Sequence, residues 1–173
     1  MELEERVSAL ERRLAELEGR GPRDTPAAGA VSGGDFWALE HLKAELDEAG
    51  VTAGAVLFTG AVQLSPQERY EWQATTPADA LLAEDEPADS ATADALAALG
   101  HPLRLQLLRG VLGGIHTVAE LAELPEVGTT GQIYHHLRQL AGAGWLHTTG
   151  RGKYGVPAAR VVPLLVVLSA ARR

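Results

Sequence analysis

Cysteine is absent from all 173 residues, which excludes disulfides, thiolate zinc sites, iron–sulfur clusters and cysteine nucleophiles in one step. Aromatics are scarce at 5%. Long apolar runs are missing too: the longest, Val161 to Leu168, has eight residues interrupted by Pro163, where a membrane span needs about 20. Met1 to Glu5 is acidic rather than cationic, so neither a signal peptide nor a span is expected, and a cytoplasmic location is. No phosphate-binding glycine loop, catalytic-triad spacing or paired carboxylate stands out in the middle of the chain, and no enzyme is expected. What is present is a composition of 46% hydrophobic and 22% charged residues, which fits one soluble domain with an appendage.

The net charge of -8 is unevenly placed. Residues 1–100 carry seven Lys or Arg against twenty Asp or Glu, whereas residues 101–173 carry eight against three. An acidic part and a basic working end follow.

At the N-terminus, Leu3, Val7, Leu10, Leu14 and Leu17 recur at alternating spacings of four and three, predicting a coiled coil over residues 1–18. With Val7 and Leu14 at a positions, Arg6 and Arg13 at g face Glu11 and Glu18 at e in a parallel homodimer. The alternative is one amphipathic helix packed on its own domain. Residues 19–34, rich in Gly, Pro, Ala and Ser, read as a flexible linker.

Residues 35–74 read as a helix and β-meander module. Asp35 caps a helix carrying Phe36, Leu39, Leu42 and Leu46 on one stripe, and Gly50 stops it. Between Gly54 and Trp72, the apolar residues Val56, Leu57, Phe58, Val62, Leu64, Tyr70 and Trp72 are punctuated by Gly60 and Ser65-Pro66, which predicts short strands. Five of the eight aromatics, Phe36, Trp37, Phe58, Tyr70 and Trp72, lie here. They line a ligand pocket or fill a small core, and the core reading is favoured because a small module has little else to bury. Residues 75–89 form an acidic connector with a short helix around Leu81 and Leu82.

From Ser90 onward, short helices alternate with clear stop signals. Ala93 to Leu99 ends at Gly100; Pro102 to Leu112 opens on Pro and closes at Gly113-Gly114; Thr117 caps Val118 to Leu124; and Thr129 caps a helix to Ala141. A strand starts near Trp145 and Thr148. Two helices joined by a turn and followed by a hairpin describe a winged helix-turn-helix over residues 90–173. The expected fold class is thus α+β, mainly α.

The residues of this segment resemble the ArsR-type winged-helix transcriptional regulators. The likeness lies in Leu99-Gly100-His101-Pro102-Leu103-Arg104-Leu105, in Thr117-Val118-Ala119-Glu120-Leu121-Ala122, in Thr129 to Leu140 with its Tyr134-His135-His136-Leu137 centre, and in Ala143-Gly144-Trp145-Leu146. It extends to Arg151-Gly152-Lys153-Tyr154 as a wing. It covers residues 91 to about 171 and implies a homodimeric regulator that binds double-stranded DNA through a recognition helix and a wing, with its terminal helices at the dimer interface.

The residue chemistry points the same way independently. Ile133, Leu137 and Leu140 share the packing face of the Thr129 to Ala141 helix. Thr130, Gln132, Tyr134, His135 and Arg138 are polar, and Thr129 begins a helix N-terminus suited to phosphate. In a major groove Gln bridges adenine, Arg bridges guanine and Thr meets a thymine methyl. Arg151 and Lys153 on a Gly-flexed turn suit phosphates. The alternative is a solvated face in a protein-assembly module that has no operator. A further alternative is a small-molecule effector acting through the aromatic module, although no residue pattern identifies one.

Five of six histidines lie in the C-terminal half. Many members of the family sense metals through thiolates, or through acidic residues and histidines on a C-terminal helix; here Cys is absent and the last helix has no His, Asp or Glu. Adjacent His135 and His136, about 100° apart on a helix, make a poor chelate. No metal site and no cofactor are expected; His136 reads as packing and His101 as a helix cap. Leu164, Leu165 and Leu168 belong to a last segment, Val161 to Ala171, that is apolar on nearly every side, and this predicts burial in the dimer interface.

Overall fold

The chain is α+β and mainly helical over residues 36–172, the part that the computed structural model describes. The coiled-coil residues Leu3, Val7, Leu10, Leu14 and Leu17 and the linker lie outside it. Helix α1 (Trp37–Ala49) buries Leu42 and half-buries Leu46. It ends where Gly50 and Val51 donate their amides back to Asp47 and Leu46, a left-handed stop that satisfies the last carbonyls.

Strands β1 (Ala55–Ser65) and β2 (Glu68–Pro77) follow as one antiparallel hairpin, not the meander that Gly60 suggests in the sequence. Gly60 stays inside β1, opposite Trp72. It is needed for close approach: a Cβ there would stand 2.7 Å from Val162 Cγ1. Nor do the aromatics fill a core. Trp37 is 65%, Phe36 59% and Trp72 42% exposed, and only Phe58 and Tyr70 are half-buried. The helices packed on the hairpin leave Phe36, Trp37 and Trp72 largely at the surface.

Helix α2 (Ala78–Leu82) leaves Leu81 and Leu82 exposed. Helix α3 (Glu86–Leu99) starts earlier than the expected Ala93, because Pro87 fits the first turn, and Glu86 and Asp89 suit its positive end. The boundary expected between residues 89 and 90 therefore falls inside a helix.

Helix α4 (Pro102–Leu112) is capped by His101, whose Nδ1 accepts from the Leu103 amide at 3.2 Å. Helix α5 (Val118–Leu121) is shorter than expected, since Pro125 disfavours helix at Leu124 and Glu126 turns left-handed at φ 58°. Helix α6 (Thr130–Gly142), strands β3 (His147–Gly150) and β4 (Lys153–Gly155), and helix α7 (Ala158–Ala170) complete the order. The core joins Leu107, Leu108, Leu121, Ile133, Leu137 and Leu164 from four of these helices, all 0% exposed.

The apolarity of α7 has two causes within the chain. Leu164, Val167 and Leu168 turn toward the helical core, while Val162 packs against Gly60 of the β1–β2 hairpin, which α7 contacts on both strands. Leu165 lies roughly 60° from Val162 around the helix, so it shares the hairpin-facing side. Leu164 is fully buried within the chain and has no surface left to offer a partner, whereas Leu165 and Leu168 are half-buried and keep part of theirs. No helix among the described residues is long and apolar enough to cross a membrane.

Candidate nucleic-acid interface

Helix α6 is fixed at its start by a reciprocal cap. The Gln132 amide donates to Thr129 Oγ1, and the Thr129 amide donates to Gln132 Oε1 at 2.9 Å. The preceding turn makes room for it. Gly128 has φ +78°, and a Cβ there would lie 2.3 Å from Gln132 Oε1. The side chain of Gln132, expected to read bases, thus serves first as a cap whose carbonyl is already engaged.

Ile133, Leu137 and Leu140 face inward. At about 100° per residue, the opposite line runs through Gly131, His135 and Arg138, with Tyr134 to one side, while Thr130 lies nearer the buried face and is exposed at the first turn. All five are exposed. The inner end of α6 is braced by Arg104, which donates to the carbonyls of Ala97 and Ala98 and to Gln139 Oε1 at 2.7 Å. Such a contact across 35 positions leaves no mark in local sequence spacing, and neither Arg104 nor Gln139 stood out there.

His136 turns inward and its ring packs 4.7 Å from that of His101. Its Nδ1 is buried without a hydrogen-bond partner. Burial first, then the charges of His101, Arg104 and His135, hold it below the ordinary imidazole range, so it is neutral near pH 7. This is the packing role expected for it.

The β3–β4 hairpin is tied to the start of α5. Tyr154 donates its amide to the His116 carbonyl at 2.8 Å, the Val118 amide reaches Gly152, and Thr117 bridges to Lys153. Thr117 also forms a capping box with Glu120, whose carboxyl is held below its usual range chiefly by the Thr117 hydroxyl. Arg151 and Lys153 project from the exposed end.

Among the described residues the ion pairs are His41–Glu45, Lys43–Glu40 and Arg69–Glu71, all before residue 72. Arg138, Arg151 and Lys153 have no carboxylate partner among them. Arg160 is spent differently, stacked 5.1 Å from the Trp145 ring. Among the described residues no group of three or more His, Asp or Glu is placed to hold a metal ion. An outward polar helix line at a helix N-terminus, and a turn whose cations have no carboxylate partner among the described residues, each have the chemistry to contact base edges or phosphates. Compared with known proteins, the chain matches no family model, no curated protein and no solved structure, so its function is read from its own residues.

Proposed function

We propose that this protein is a sequence-specific, homodimeric DNA-binding transcriptional regulator of the winged helix-turn-helix kind, and not an enzyme. Helix α6 enters the major groove with Arg138, His135, Tyr134 and Thr130 toward base edges, and the β3–β4 turn sets Arg151 and Lys153 on phosphates. The observation that carries this reading is the exposed Gly131–His135–Arg138 line on a helix whose other side is fully buried. A protein-assembly reading is favoured instead by the exposed Trp37, Trp72 and Leu82.

Selection from random duplex DNA, followed by titration over several salt concentrations, separates the two. Arg138→Ala should cost about 1–3 kcal/mol on the selected site and relax sequence choice, while Lys153→Ala should weaken all duplexes and reduce the salt slope by about one. Recovery of no shared sequence, or identical binding by both variants, defeats the DNA reading and leaves assembly.

A further inference from the structure

A cavity of about 400 Å³ lies where the β1–β2 hairpin, the end of α4, the β3–β4 hairpin and α7 meet, within the 300–1,000 Å³ typical of small-ligand sites. We propose that it binds an organic ammonium compound with a short apolar body, and that occupancy changes DNA affinity through the β3–β4 hairpin. The second half rests on the DNA-binding reading above.

The shape of the site is built by two β-bulges. Pairing slips between Gln63 and Ser65 in the first hairpin and between Thr148 and Gly150 in the second. The extra residues are Leu64 and Thr149, and both line this one cavity. Bulges re-aim side chains and recur beside binding sites. Both bulges sit beside their hairpin turns, and together they bring Leu64 and Thr149 from separate sheets to one space.

The lining sets the ligand charge. Val111 and Val161, both nearly inaccessible, supply an apolar wall. Glu68 is the one charged side chain in the lining; no Lys or Arg lies there. Its carboxylate is half-buried, and among the described residues its hydrogen bond is a long one from Ser65 Oγ at 3.4 Å, so it has unused acceptor capacity. His116 also lines the cavity, its Nδ1 donating to the Tyr154 carbonyl at 3.2 Å, because that carbonyl can only accept. With the Tyr70 and Thr149 hydroxyls, which donate and accept, and with His147 nearby, Glu68 supplies the one fixed charge of the site. That negative charge attracts an ammonium group and repels a carboxylate.

The route to DNA is short. His147 and Thr149 line the cavity and belong to β3, and Arg151 follows at the turn. The other cavity wall, His116, is hydrogen-bonded to β4 through both its ring and its carbonyl. A ligand in contact with these groups biases the hairpin that carries Arg151 and Lys153.

The test uses the full chain, titrated calorimetrically with phenethylamine and tyramine and with phenylacetate as the oppositely charged counterpart. The amines should saturate one site and phenylacetate should not bind. Glu68→Gln should weaken amine binding by about tenfold or more, in line with loss of a charged hydrogen bond. Thr149→Val, a shape-preserving change on an exposed strand, should weaken tyramine and phenethylamine alike. Equal binding of amine and acid, no binding of either, or indifference to Glu68→Gln overturns the site. Duplex binding is then measured with and without phenethylamine. A shift in wild type that disappears in Glu68→Gln supports the coupling; duplex affinity indifferent to a saturating amine overturns it while leaving the site. If amines bind as expected but the protein alone recognises no duplex, the DNA reading fails, and the regulatory half with it.

Discussion

Gly60→Ala adds one methyl at the contact between β1 and α7, and its effect follows from a single distance. The new Cβ would stand 2.7 Å from Val162 Cγ1, whereas carbon atoms rest at about 3.5–4.0 Å, so one side must retreat by about 1 Å. Val162 cannot easily rotate away: it is 2% exposed, and a β-branched residue on a helix is held to one χ1 rotamer. Overpacking of this kind costs about 1–3 kcal/mol. Replacing a strand glycine returns about 0.5–1 kcal/mol of backbone entropy, so a net loss of about 1–2 kcal/mol is expected. For a chain of this size that lowers Tm by about 2–8 °C. Urea denaturation followed by far-ultraviolet circular dichroism measures it. The decisive variant is Gly60→Ala with Val162→Ala, where the new methyl enters the space that Cγ1 vacates; the double mutant should be more stable than the sum of the singles by about 1 kcal/mol. Additivity within about 0.5 kcal/mol refutes the packing of the hairpin on α7.

Two further outcomes are expected. Because burial and neighbouring charge hold His136 below the ordinary value of 6.5, the unfolded chain takes up its proton first as pH falls. Stability is therefore unaffected above about pH 6.5 and is lost from there down through the folded-state value, a slope that His136→Phe should flatten in denaturation series between about pH 7 and pH 5. On the homodimeric reading proposed above, deleting residues 1–20 should yield a monomer by sedimentation equilibrium, whereas Leu165→Glu should leave the association state unchanged and lower stability by several kcal/mol, as a carboxylate entering the α7–hairpin contact; a stable monomeric Leu165→Glu assigns α7 to the dimer interface instead.

Local signals carried far in the helical half. Thr117 and Thr129 were legible as caps because a hydroxyl followed three residues later by Glu or Gln needs only its own turn to close. His101 was legible for the same reason, with Pro102 fixing the first turn. What failed depended on contacts between distant segments. Gly60 has the same composition signature whether it breaks a strand or admits Val162, and only the position of α7 decides. The apolarity of α7 reads as a demand for burial in the sequence, but that the hairpin covers part of one side and the core another depends on contacts no local pattern shows. Proline and charge marked the α3 start, but a connector and the first turn of a helix share that composition.

The candidate interface divides along the same line. His135 and Arg138 follow from helical periodicity alone: if Ile133, Leu137 and Leu140 face inward, these two face outward, and they do. Gln132 stands at a helix start, where one amide side chain serves either a base edge or the backbone of its own cap. The backbone is the nearer partner, at 2.9 Å, and left-handed Gly128 clears the space for it. A base contact by Gln132 would have to come from its amide nitrogen while the carbonyl stays on Thr129, which forbids the bidentate adenine pairing that uses both atoms. On the DNA-binding reading proposed above, sequence discrimination on α6 would therefore fall chiefly to Arg138, whose guanidinium has no carboxylate partner among the described residues and can pair bidentately with guanine.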